Sequence, residues 1–180
     1  EHYCSVADLP PSIDSSNIEI IKSGLETYFS LGQPQGPPLV NSASLERLEV
    51  LYLVEFYGAG VVVTASGAEG MPYNAEQRCE NVDKIIEQCD RRKIPYENIH
   101  IDPLLFPISV DQSFGNHYLD AVKILRRHYG DSINITGGLS NVSFGLPARR
   151  LINDTYIRLA MDAGVNSGII NPVESRMTRI

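Results

Sequence analysis

Short apolar runs alternate with longer amphipathic stretches along the whole chain. Runs of strand length fall at 11–14, 39–41, 60–65, 99–102, 133–136 and 167–170, each closed by Asp, Asn, Ser, Thr or Pro within a residue or two. Between them, apolar positions recur at helical spacing over 17–29, 45–57, 75–92, 116–129 and 150–163. Punctuation agrees with these spans. Ser44 and Asn74 stand where an N-cap is expected, and Gly130 and Gly164 follow the last periodic positions of their helices. Strict strand–helix alternation predicts a parallel sheet. A repeat of about 30 residues fits a (β/α)8 barrel, which has roughly 250 residues in all. Six units are visible in 180 residues, so the expectation is an incomplete TIM barrel, one domain over 1–180 lacking two βα units before the first strand and a helix after the last. An open doubly wound sheet is the structural alternative, since it needs no closure.

The strand ends carry the candidate chemistry. Asp14-Ser15, Asn41-Ser42, Asp102-Pro103 and Asn171-Pro172 each close a predicted strand, and Asn141-Val142 follows soon after another. In a parallel barrel these positions meet at the C-terminal rim, where active sites are built. Any one of them could be a helix cap or a turn residue; their recurrence favours a site, because caps alone would use Ser and Thr as readily. Carboxylates accept pairs of N–H groups, and carboxamides both donate and accept. That inventory matches the 2-amino-4-oxo edge of a pterin. The richest junction is 133–153, INITGGLSNVSFGLPARRLIN, where a strand runs into Gly137 and Gly138, short neutral polar groups, Pro147 and the cations Arg149 and Arg150.

Composition narrows the field. A net charge of −7 without a basic run disfavours nucleic acid and anionic membranes as partners. No apolar run reaches the ~18 residues of a membrane span, and the start of the chain lacks the basic-then-apolar order of a signal peptide, so a cytoplasmic location is expected. Cys4, Cys79 and Cys89 form no CxxC, and Cys79 and Cys89 lie about 15 Å apart on one helix; reduced, incidental thiols are expected. His100 and Asp102 form an HxD pair without a third ligand at matching spacing, so no metal is expected. Tyr52, Phe56 and Tyr57 fit a helix face packed on the sheet. The stretch 33–38 is expected to be a stiff connecting loop, and 68–74, following a strand end, a loop that either covers the pocket or touches a partner protein.

The segments SIDSSNIEIIKSGL, LVNSAS, HIDPLLFP and GGLSNVSFGLPARRLIN, taken in order, resemble the pterin-binding methyltransferases, the folate-dependent relatives of dihydropteroate synthase. Their nearest likeness is to methyltetrahydrofolate:corrinoid methyltransferases. The resemblance implies that Asp14, Asn41 and Asp102 hold the pterin ring and that Asn141 lies near pterin N5. It also implies that Arg149 lies near the ligand, with Arg150 and Asn153 as weaker assignments. The reaction implied moves the N5 methyl group of 5-methyltetrahydrofolate to or from the cobalt of a corrinoid carried by a partner protein. Asn141 would be the catalytic residue, and a homodimer would be possible. The alternatives are a dihydropteroate synthase-like condensation, whose usual Ser-Arg-Lys-type run is absent here, and a non-catalytic pterin-binding fragment.

Overall fold

The computed structural model describes residues 2–32, 35–68 and 70–171. A short helix, α1 (His2–Val6), precedes the alternating units. These run β1 (Ser12–Asp14), α2 (Ile18–Ser30), β2 (Leu39–Ala43), α3 (Val50–Tyr57), β3 (Gly60–Thr64), α4 (Ala75–Arg91), β4 (Ile99–Asp102), α5 (Ser113–Tyr129), β5 (Asn134–Ile135) and α6 (Arg149–Ala163). Among the described residues the strands form one parallel sheet in sequential order, β1-β2-β3-β4-β5. Each connection crosses back over the same sheet, which is the pattern that curls into a barrel.

Pleating sorts the side chains between the two faces. Val40, Val61, Val63, Ile99, Ile101, Ile133 and Ile135 are buried and form the ridge on which the helices pack. Against it lie Ile21 and Leu25 of α2, Val50, Leu51 and Val54 of α3, Val82 and Ile85 of α4, and Val122 and Leu125 of α5. On the opposite face the register aligns Asp14, Asn41, Val62 and His100, with Thr64 beside Asp102 one step nearer the rim. One face is therefore apolar and helix-covered, whereas the other is largely polar.

The caps at Asn74, Gly130 and Gly164 are present. The Asn74 side chain accepts from Gln77 N–H at 2.9 Å, and Gly130 and Gly164 take φ of 62° and 118°, which favour glycine. Four expectations need correction. Ser44 does not cap α3: residues 44–49 form turns, with Arg47 N–H donating to the Ser44 carbonyl, and the helix starts at Val50. Helix α5 starts at Ser113, ahead of 116, because the Asp111 carboxylate accepts both the N–H and the hydroxyl of Ser113. Tyr52 and Phe56 face outward, 62% and 80% exposed, since Val50, Leu51 and Val54 occupy the sheet side of α3; Tyr57 is half-buried against Phe29.

The fourth correction concerns 167–170, which is not a strand. The segment runs beside β5, with Asn166 and Ser167 N–H donating to the Ile135 carbonyl and Ile169 N–H to that of Gly137. The Asn166 carboxamide accepts the Ile135 N–H at 2.9 Å, so a side chain takes the donor that a ladder would use. The loops 33–38 and 68–74, the Asn171-Pro172 junction and the Cys4 side chain lie partly or wholly outside the described residues.

Candidate functional site

The rim is built as two pairs of loops flanking β3. Asp14 closes β1 and is the register partner of Asn41, which lies inside β2, two residues before its end at Ala43 and where the pairing with β3 shifts register. Their loops are joined where Ser15 N–H donates to the Asn41 carbonyl at 3.1 Å and the Arg47 guanidinium donates to the Ser15 carbonyl at 2.9 Å. Beyond β3, the loop after Asp102 is joined to the 3₁₀ turn Leu139–Ser143, which carries Asn141. There Ile108 N–H donates to the Val142 carbonyl at 3.1 Å and the Ser109 hydroxyl to that of Phe144 at 2.6 Å. The two pairs meet through β3, where Ala65 N–H donates to the Asp102 carbonyl at 2.9 Å.

Asp102 is the buried member, 9% exposed. Its carboxylate accepts from Leu104 N–H at 2.8 Å and from the Gly138 N–H. Both bonds favour the ionised form, but burial outweighs them and pushes the carboxyl up to about 6. Two donors leave lone pairs of the carboxylate free. The Asp14 carboxylate is exposed, Asn41 is half-buried and Asn141 is exposed. Among the described residues none of these three side chains forms a hydrogen bond within the chain.

Both glycines of the junction leave room for a neighbour. A Cβ at Gly137 would fall 2.6 Å from the Tyr118 hydroxyl, which donates to the Thr136 carbonyl at 2.7 Å. At Gly138 a Cβ would fall 2.9 Å from the Asn141 Nδ2. Gly138 thus supplies a donor to Asp102 and space for Asn141.

Arg149 donates through Nε to the Ser143 hydroxyl at 3.0 Å and through Nη2 to the Ser140 carbonyl at 3.1 Å, and it lies over the Phe144 ring. Its bonds brace the turn that presents Asn141. Arg150 is exposed on α6, and the Asn153 Oδ1 is buried without a donor among the described residues. His100 shares the face of Asp102, its imidazole kept below its usual range by burial; among the described residues no three His, Cys, Asp or Glu converge on a metal position. Cys79 and Cys89 are free and buried on α4, and burial pushes their thiols up to about 11 and about 12, which makes both poor nucleophiles. Sequence reasoning missed Arg47, the Gly138 N–H and Arg78, a fully buried arginine of α4. Only Arg78 left a signal, by standing within the apolar stripe Ala75, Cys79, Val82 and Ile86.

Residues 3–171 match the family model described as pterin binding enzyme. Similar proteins include a methylcorrinoid:tetrahydrofolate methyltransferase of Eubacterium limosum, 32% identical over 94% of this chain and 62% of that protein. The methionine synthase of Mycobacterium leprae is 29% identical over 93% of this chain and 14% of its own length. The chain spans less than two thirds of the length of these relatives. Among solved structures, the Yersinia pestis DHPS with a pterine-sulfa conjugate superposes with a TM-score of 0.66 at 15% identity, covering 93% of this chain and 64% of that one. The Xanthomonas albilineans dihydropteroate synthase in complex with indole-2-carboxylic acid and 6-chloroguanine gives 0.67 at 16% identity, covering 99% and 65%. At such identities the likeness is one of fold, and it assigns the five-stranded sheet to the dihydropteroate synthase-like type of TIM barrel.

Proposed function

The chain belongs to the family of pterin binding enzymes, and from that premise we propose that its rim binds the pterin of 5-methyltetrahydrofolate for methyl exchange with a corrinoid protein. The observation that carries this reading is Asp102, a carboxylate held at a strand end by two backbone N–H groups, buried and without a cationic partner among the described residues. Such a group suits the paired N–H donors of a 2-amino-4-oxo ring edge, which offset the desolvation of its charge. Asp14 and Asn41, adjacent across β1 and β2, supply acceptors and a donor for the rest of the ring. Similarity to methyltransferases that act between folate and corrinoid names the reaction class.

In methyl transfer from folate, the N5–carbon bond breaks with its electron pair remaining on N5, and a carbon–cobalt bond forms; the reverse direction uses the same geometry. When docked, the partner's corrinoid supplies the nucleophile. This chain supplies orientation and charge stabilisation. N5 leaves well only when protonated or strongly hydrogen-bonded, and we assign the strengthening of that bond, as the methyl departs, to Asn141, whose uncommitted carboxamide on the turn braced by Arg149 supports the reading.

Calorimetric titration of the full chain with 5-methyltetrahydrofolate, and separately with a pterin pyrophosphate, tests the proposal. Binding of the folate in preference to the pyrophosphate, lost in Asp102→Ala, is the expected result. Preference for the pyrophosphate would move the reading to a dihydropteroate synthase-like condensation, and no pterin binding by a folded chain would overturn both.

A further inference from the structure

We infer that Arg78 is a positioning residue for Asp102, acting on its carboxylate through the two sides of Leu104. Arg78 is fully buried on α4, and no ion pair to it forms among the described residues. Its guanidinium donates instead to backbone carbonyls. Nη1 reaches that of Asn74 at 2.8 Å, while Nε and Nη2 share that of Leu104 at 3.4 Å each. The Phe106 ring lies 5.2 Å from the guanidinium carbon. Burying an arginine against carbonyl dipoles and a ring face, with no anion, is costly, and a helix needing only packing here would carry an apolar residue, as its neighbours in the stripe do.

What Arg78 holds explains the arrangement. Leu104 has φ of 66°, a left-handed conformation that disfavours a leucine. Its N–H donates to the Asp102 carboxylate at 2.8 Å, and its carbonyl receives the fork of Arg78. The residue is clamped on both sides, so the donor that orients Asp102 stays aimed only while the carbonyl is restrained. The contact to Asn74 ties the same guanidinium to the start of α4, linking the loop after β3 to the loop after β4.

The geometry stands without a ligand, whereas its consequence for binding rests on the pterin reading. Among the described residues, the ionisable groups beside Asp102 include His100 on its own strand and Tyr118 on α5, whose hydroxyl burial holds well above its usual range, so that it stays neutral. Loss of the Leu104 donor therefore shifts Asp102 in one direction, upward.

The experiment compares the full chain with Arg78→Met and Arg78→Lys. Without ligand, Leu104 amide exchange is expected to speed up at least tenfold in Arg78→Met, and the Asp102 carboxyl, followed by carbon NMR, to titrate at higher pH. Arg78→Lys, with one donor head for two carbonyls, is expected to fall between, and it carries the comparison if the methionine variant does not fold. With 5-methyltetrahydrofolate, the pH at which affinity inflects is expected to move together with the carboxyl titration. Unchanged exchange and titration in a folded variant would overturn the inference, as would lost affinity with an unmoved inflection. If the ligand-free shifts occur but no chain binds folate, the clamp stands and the pterin reading falls.

Discussion

On the proposed pterin reading, Asp102 sets stability against binding within a single side chain. Its carboxyl is raised to about 6 by burial, above the ~3.9 of an exposed aspartate. The folded state thus binds the proton more tightly than the unfolded one. Stability from this group is fully present below the unfolded value and is lost as pH rises through the folded one, by about 3 kcal/mol at neutral pH. Asp102→Asn should accordingly raise the melting temperature at pH 8 while leaving it unchanged at pH 4, as thermal unfolding at the two pH values will show. The same substitution should abolish pterin binding, because a carboxamide cannot accept two ring N–H groups in place of a carboxylate. In the unsubstituted chain, affinity for 5-methyltetrahydrofolate should rise as pH increases through about 6 and level off above it; a flat calorimetric profile would remove Asp102 from the ring contact. Asn141 differs in being exposed and uncommitted. Asn141→Ala should lower the methyl-transfer rate on the order of a hundredfold, as loss of an oxyanion-hole-type donor does, with little change in folate affinity, and equal losses in the two measurements would refute its role at N5.

At the level of elements, the helices are anchored where they feed the rim. The Asn74 side chain caps α4 through Gln77 N–H, and the Asn74 carbonyl receives Arg78. Asn74→Ala should cost about 1 kcal/mol in urea unfolding from the cap alone, with the carbonyl contact retained. Helix α6 starts differently. Ala148, just before it, has φ of 54° and gives no side-chain cap, and Arg149 at the first helical position turns back to Ser143 and Ser140. The helix start thus serves the Asn141 turn. Arg149→Ala should loosen that turn, seen as faster amide exchange at Asn141 and Phe144, and lower the transfer rate more than the affinity. Periodicity predicted these helices because their apolar stripes are local in sequence. It misplaced the starts of α3 and α5, where the deciding contacts are the turn Ser44–Arg47 and the Asp111–Ser113 bonds.

For the molecule as a whole, the described sheet has one face sealed by helices and one polar face that carries the candidate site. Ile101 lies fully buried within the sealed face, one residue from Asp102. Ile101→Ala should cost about 2–5 kcal/mol, measurable by denaturant unfolding, and weaken pterin binding through displacement of the strand end. The sequence by itself determined the order of strands and helices, the parallel sheet and the identity of the polar strand ends, because alternation, helical period and cap residues all act over short distances along the chain. It also singled out Asp14, Asn41, Asp102 and Asn141 as candidates from predicted strand ends; Asp14 and Asp102 do end their strands, whereas Asn41 lies inside β2 and Asn141 on the 3₁₀ turn after β5. Only the tertiary structure decided which member of that set is buried, that Gly138 and Leu104 both donate to it, and that Arg78 stands behind Leu104. It likewise decided that 167–170 lies beside β5 without joining the ladder, because the Asn166 carboxamide occupies the Ile135 N–H. Those outcomes depend on desolvation and on partners that lie far apart in the chain, and neither is a property of any local window of residues.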